Sequence, residues 1–123
     1  MNLRHLGLAI ILLMALPLTL VGCGGAPVAA SQAQAVTVRA RDIAFDVTTL
    51  NAKAGQPIEV TYVNEGTLEH AFAIEGLVKQ QTTKPSQTRT FTFTPTATGA
   101  FKYYCAIAGH EPAGMVGTLV VTQ

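Results

Sequence analysis

The sequence predicts an all-β domain, an antiparallel Greek-key β-sandwich of about seven to eight strands. Three observations carry that prediction. Apolar and polar residues alternate with a period of two through most of the chain after residue 35, turn-forming Gly, Pro and Asn interrupt the alternation at close spacing, and no helix-period stretch occurs in that region. The domain is assigned to 36–123, and a mature chain of about 100 residues is long enough to bury one such core.

Val36, Val38 and Ala40 alternate with Thr37, Arg39 and Arg41, and Ile43, Phe45 and Val47 alternate with Ala44, Asp46 and Thr48, which gives two strands. Asn51 to Pro57 is read as a turn. Ile58, Val60 and Tyr62 then face one way and Glu59 and Thr61 the other, until Asn64-Glu65-Gly66 stops the strand. His70, Phe72 and Ile74 share a parity, so His70 opens a strand and points to the core side. Gln80 to Gln87 is polar throughout and is read as the connection that makes the Greek-key crossing. Arg89 to Thr94 places Phe91 and Phe93 on one side, and Pro95 to Gly99 turns the chain. Phe101, Tyr103 and Cys105 face inward in the next strand with Lys102 and Tyr104 outward, and the last strand, Val116 to Thr122, is too apolar to show a face.

With 123 residues and a formal net charge of +1, the chain has no electrostatic preference for nucleic acid or an acidic surface. Basic residues are scattered, and there is no Gly-rich phosphate loop, internal repeat or aromatic-plus-basic stripe. Nucleic-acid binding is excluded as the expected function.

The first residues read as a targeting segment. Arg4 and His5 precede an apolar run from Leu6 to Leu20, shorter than the ~20 residues of a spanning helix. Leu20-Val21-Gly22-Cys23 resembles the lipobox of bacterial lipoproteins. The resemblance implies cleavage after Gly22, a lipid on Cys23 and a protein anchored on the extracytoplasmic or periplasmic side of a membrane. The organisation expected is a signal peptide over 1–22, a lipidated Cys23 with a flexible tether over 23–35, and the domain. Cleavage near Ala29 or Ala30, releasing an unanchored protein, is the alternative, and either route exports the domain.

Beyond that segment the chain keeps two histidines, one methionine and, apart from Cys23, one cysteine. Cys105, His110 and Met115 stand in the spacing Cys-x4-His-x4-Met, and His70 lies upstream. Taken singly, Cys105 reads as a small core residue, Met115 as core, His110 as a surface imidazole and His70 as a hydrogen-bonded core histidine. Their concentration points instead to one copper ion, because thiolate, imidazole and thioether are soft or borderline donors. A trigonal plane of two His and one Cys with a long axial Met lies between the preferences of Cu(I) and Cu(II). Gly109 and Gly114 give the loop the freedom to turn beside His110 and Met115.

Gly99 to Cys105 and Met115-Val116-Gly117 resemble the ligand strand and loop of the cupredoxins, the small type 1 blue copper proteins. The approach to the cysteine is similar to that of the plastocyanin branch, and the loop spacing is similar to that of rusticyanin and auracyanin. The resemblance implies His70, Cys105 and His110 as equatorial ligands, Met115 as axial ligand, and single-electron transfer rather than catalysis. It further implies protein redox partners that dock near His110, Ile107, Pro112 and Ala113 on a monomer. Many cupredoxins carry Asn after the first histidine and Ser or Thr after the cysteine, joined by hydrogen bonds. Here those positions are Ala71 and Ala106, so another device must hold the site and the hydrogen bonding at the Cys105 sulfur should be weak. Copper storage or delivery through the same four residues is the competing reading, and a metal-free adhesive sandwich is the plainest one.

Overall fold

The computed structural model describes residues 31–123. The signal segment over 1–22, Cys23 and the tether as far as residue 30 lie outside the described residues. Among the described residues no helix is long and apolar enough to cross a membrane.

Among the described residues nine strands follow in chain order: β1 (Gln34–Arg41), β2 (Ala44–Phe45), β3 (Thr49–Lys53), β4 (Ile58–Asn64), β5 (His70–Ile74), β6 (Val78–Thr83), β7 (Thr88–Phe93), β8 (Gly99–Cys105) and β9 (Val116–Thr122). They form a sandwich of two sheets, one in the order β2-β1-β4-β7 and the other β3-β9-β8-β5-β6. The expected all-β sandwich is what the chain forms. Both sheets are nevertheless mixed, because β1 runs parallel to β4 and β3 parallel to β9.

The alternation read from the sequence is the one the core uses. Val38 and Ala40 of β1, Ile58, Val60 and Tyr62 of β4, Phe72 and Ile74 of β5, and Tyr103 and Cys105 of β8 are all buried. Phe45, Tyr62, Phe72 and Tyr103 meet between the sheets, with ring centroids 5.3 to 6.3 Å apart in edge, tilted and stacked arrangements. β9 does show a face, since Leu119 and Val121 are buried. Gly117 shares their parity, and a side-chain carbon there would lie 2.0 Å from Tyr103 Cζ. The Tyr103 ring fills the place of the missing side chain, and its hydroxyl donates to the Val47 carbonyl at 2.5 Å.

Two strands lie where turns were expected. Leu50 and Ala52 are buried between exposed Thr49, Asn51 and Lys53, so β3 occupies the start of the supposed 51–57 turn, and the chain actually turns at Ala54 to Gln56. Polar Val78–Thr83 is an edge strand, β6, paired only with β5 within its sheet, and an edge position tolerates Lys and Gln. The crossing between sheets is therefore confined to 84–87, where Ser86 takes a φ of 62°. The second expected strand is also shorter than its alternation implied: only Ala44 and Phe45 pair, and Ile43 is 37% exposed beside the Asp42 turn.

The strand directions set the position of everything else. Gln34 is aligned with Ile58, and Ala40 with Asn64, the residue that starts the segment leading to His70. The described chain thus begins at the end of the sandwich opposite the ligand loop.

Candidate metal centre

β5 and β8 are antiparallel neighbours in register Phe72 to Cys105, so the first residue of one and the last residue of the other meet at the same end of the sheet. That places His70 beside Cys105 although 35 residues separate them. The loop after Cys105 folds back as a series of turns, with the His110 amide donating to the Ile107 carbonyl at 3.1 Å and the Gly114 amide to the Glu111 carbonyl at 2.9 Å. Gly109 and Gly114 take φ values of +85° and +101°, a region that side-chain-bearing residues rarely enter, with nothing within 4 Å of either missing side chain. Both glycines are present for the backbone, as the loop spacing implied.

Three donor atoms converge. His70 Nδ1 is 3.2 Å from His110 Nδ1, Cys105 Sγ is 3.4 Å from His110 Nδ1, and Cys105 Sγ is 3.9 Å from His70 Nδ1. A triangle with those sides has a point in its plane about 2 Å from all three corners, the distance at which imidazole and thiolate bind a first-row metal. Two adjoining Nδ1 atoms and a thiol are so placed that one metal ion could be held by all three. His70 and Cys105 are fully buried, and His110 is 8% exposed. Burial, and next the neighbouring His110, lower the pKa of His70 below its ordinary value of 6.5, with Asp42 opposing them. The shift favours the neutral imidazole, the form that ligates a metal.

Met115 is buried at the far end of the loop. Its amide donates to the His110 carbonyl and its carbonyl accepts from the Cys105 amide, both at 3.0 Å, which ties it to two members of the triad. Cys105 is free and buried, with no disulfide partner among the described residues.

Main-chain groups supply the bracing that Ala71 and Ala106 cannot give through side chains. The Ala71 amide donates to Cys105 Sγ at 3.3 Å, and the Ala106 amide donates to the Ala71 carbonyl at 3.2 Å. A further brace comes from Asn64, fully buried, whose Nδ2 donates to the carbonyls of Leu68 at 2.8 Å and Thr83 at 2.9 Å while its Oδ1 accepts from the Gly66 amide at 2.9 Å. From the sequence Asn64 is a strand stop and a candidate brace for the loop before His70, and it continues the inward parity of Ile58, Val60 and Tyr62. A polar residue on a buried parity signals a fully bonded structural group. For the Ala71 amide no sequence signal existed.

The sequence model of the cupredoxin-like domain family matches residues 9–121. The chain belongs to this family. Solved cupredoxin structures resemble it closely in fold. Auracyanin B superposes with a TM-score of 0.67 at 25% identity, covering 74% of this chain and 90% of its own. A dithionite-reduced auracyanin from the photosynthetic bacterium Roseiflexus castenholzii gives 0.65 at 21% identity over 74% and 98%. Auracyanin A, a "blue" copper protein from the green thermophilic photosynthetic bacterium Chloroflexus aurantiacus, gives 0.65 at 21% over 74% and 100%. No curated protein matches the chain in sequence. As a cupredoxin-like domain, the protein has its convergent His-Cys-His set at the end of the sandwich where the ligand strand and the returning loop meet.

Proposed function

We propose that this cupredoxin is an exported one-electron carrier that holds one copper ion through His70, Cys105 and His110, with Met115 as axial ligand. The observation that carries the reading is the buried triangle of two Nδ1 atoms and one Sγ with sides of 3.2 to 3.9 Å. Copper in such a set would supply a Cu(II)/Cu(I) couple. The protein's part is to keep the donors in place in both states. β5 and β8 hold two of them as neighbouring strands, the bonds from Cys105 to Met115 and from Met115 to His110 close the loop, and the Ala71 amide orients the sulfur.

His110 is the one member of the triad with an exposed edge. Around it Ala108, Pro112 and Ala113 are exposed and Ile107 is half-buried, an apolar rim suited to brief docking of protein redox partners. Leu68, 47% exposed, extends the apolar character of the loop that precedes His70. Tyr104, adjacent to the cysteine on the outward face with Lys102 5.1 Å from its ring centroid, offers a second route. Electron transfer rather than enzymatic turnover suits a site whose three converging donors leave little room for a substrate. Burial of the set equally disfavours copper storage, which needs exchangeable ligands.

Lipidation of Cys23 would tether the protein as a monomer to the periplasmic or extracytoplasmic face of a membrane. Because β1 starts at the end opposite the metal centre, a tether ahead of it would leave the His110 end facing away from its own attachment point. The deciding experiment is addition of Cu(II) to the purified protein, with the visible spectrum and redox potential recorded. An intense thiolate-to-copper band with a reversible couple is expected, and a colourless protein would sink the reading.

A further inference from the structure

Among the described residues, five of the seven glycines have positive φ, and the space around each missing side chain is open or nearly so. Gly66 and Gly117 differ: neither has positive φ, so the left-handed backbone is not what requires glycine there, and a side-chain carbon would be excluded at Gly117 and tightly crowded at Gly66. Gly117 makes room for Tyr103. At Gly66 a side-chain carbon would lie 3.1 Å from His70 Nε2, 3.1 Å from the Asp42 amide nitrogen and 3.3 Å from Asn64 Oδ1. All three are inside the ~3.5 Å at which non-bonded contact becomes comfortable.

The contact falls on the ring that supplies Nδ1 to the metal centre. Among the described residues the buried His70 Nε2 has no hydrogen-bond partner, whereas a ligating histidine ordinarily has its ring fixed through its second nitrogen. Here the surface facing Nε2 is the bare backbone of Gly66. That backbone cannot retreat, because the Gly66 amide donates to Asn64 Oδ1 and the Asn64 Nδ2 is committed to Leu68 and Thr83.

We propose that Gly66, held by Asn64, is the positioning residue of His70, its missing side chain setting how the imidazole presents Nδ1 to the metal centre. This rests on the reading of His70 as a ligand. A methyl at 66 presses on Nε2 and shifts the ring by a few tenths of an ångström, a large fraction of the tolerance of a bond about 2 Å long.

Two measurements test it. In the metal-free full chain, Gly66→Ala is made both alone and on a His70→Ala background. If the methyl collides with the ring, the loss of Tm is smaller by about 4 °C or more when the ring is gone. An equal loss in both backgrounds, failure of both to fold included, would overturn the proposal. In the copper-loaded protein, Gly66→Ala moves the thiolate band and the redox potential. Gly55→Ala, strained by a φ of +78° but with nothing within 4 Å, lowers Tm without moving either. An unchanged band and potential in Gly66→Ala would also overturn it. A colourless unsubstituted protein counts against the copper reading alone, and the metal-free comparison still decides the role of Gly66.

Discussion

The Ala71 amide donates to the Cys105 sulfur across 3.3 Å, and together with the Ala106 amide donating to the Ala71 carbonyl it joins β5 and β8 where positions 71 and 106 carry no polar side chain. Any residue at position 71 other than proline carries that amide, so the bond does not separate this site from one with Asn there. The buried Ala71 methyl adds an apolar wall that disfavours the more highly charged oxidised site. We expect a reduction potential above that of cupredoxins with Asn after the first histidine and Ser or Thr after the cysteine, measured by voltammetry in the same buffer. A value at or below theirs removes this account.

Cys105→Ser replaces the soft thiolate with a hard hydroxyl and should abolish the visible band. Met115→Leu should leave the triad and the bound copper in place while raising the potential, because loss of the axial thioether favours Cu(I). Copper content and voltammetry of the two variants check this. A Met115→Leu potential equal to the parent's would remove Met115 from the ligand set.

Gly117 and Tyr103 face each other across β8 and β9, and Gly117→Ala would place a carbon 2.0 Å from Tyr103 Cζ. The ring must move, so the variant should lose about 3 kcal/mol or more. Tyr103→Phe keeps the ring but leaves the Val47 carbonyl unpaired, costing about 1–3 kcal/mol. Urea unfolding should rank the two in that order, and Gly117→Ala unfolding like the parent would contradict the packing described.

Stability of the metal-free protein should fall on the acid side. His70 has a folded pKa below its ordinary 6.5, so below about pH 6.5 the unfolded chain takes up a proton that the folded chain refuses. The contribution is complete above that pH and is lost as pH falls toward the lowered folded value. Denaturant midpoints at pH 8 and pH 5 should differ, with a smaller difference in His70→Ala; identical midpoints in the parent would refute the assignment.

Tyr103 gives the opposite sign at high pH. Burial pushes its pKa from 10.0 up to about 12, so the folded chain retains a proton that the unfolded chain releases, and stability declines as pH rises from 10 through 12. The decline should be shallower in Tyr103→Phe, as thermal melts across that range would show.

The four candidate ligands were legible because ligand chemistry is a property of residue type: a chain that keeps two histidines and one methionine after residue 35 and sets three of the four residues at fixed spacing declares them locally. The core was legible for a similar reason, since Val38, Val60, Phe72 and Tyr103 each sit in an alternation visible within a few residues. β3 and β6 were not, because 51–57 reads as a turn and 80–87 as a polar link until the pairing with β9 and β5 is known.

From the sequence alone follow an all-β sandwich, the inward parity of its main strands, and a His-Cys-His-Met set whose loop must turn at Gly109 and Gly114. Tertiary structure alone decided that β1 pairs in parallel with β4 and β3 with β9, that an amide of Ala71 serves the sulfur, that Tyr103 lies over Gly117 and that His70 Nε2 lies close to Gly66. Alternation and ligand type are local properties, readable along the chain. A hydrogen-bond partner, a pairing direction and the room beside a glycine belong to residues brought together from distant positions, and only the folded chain contains them.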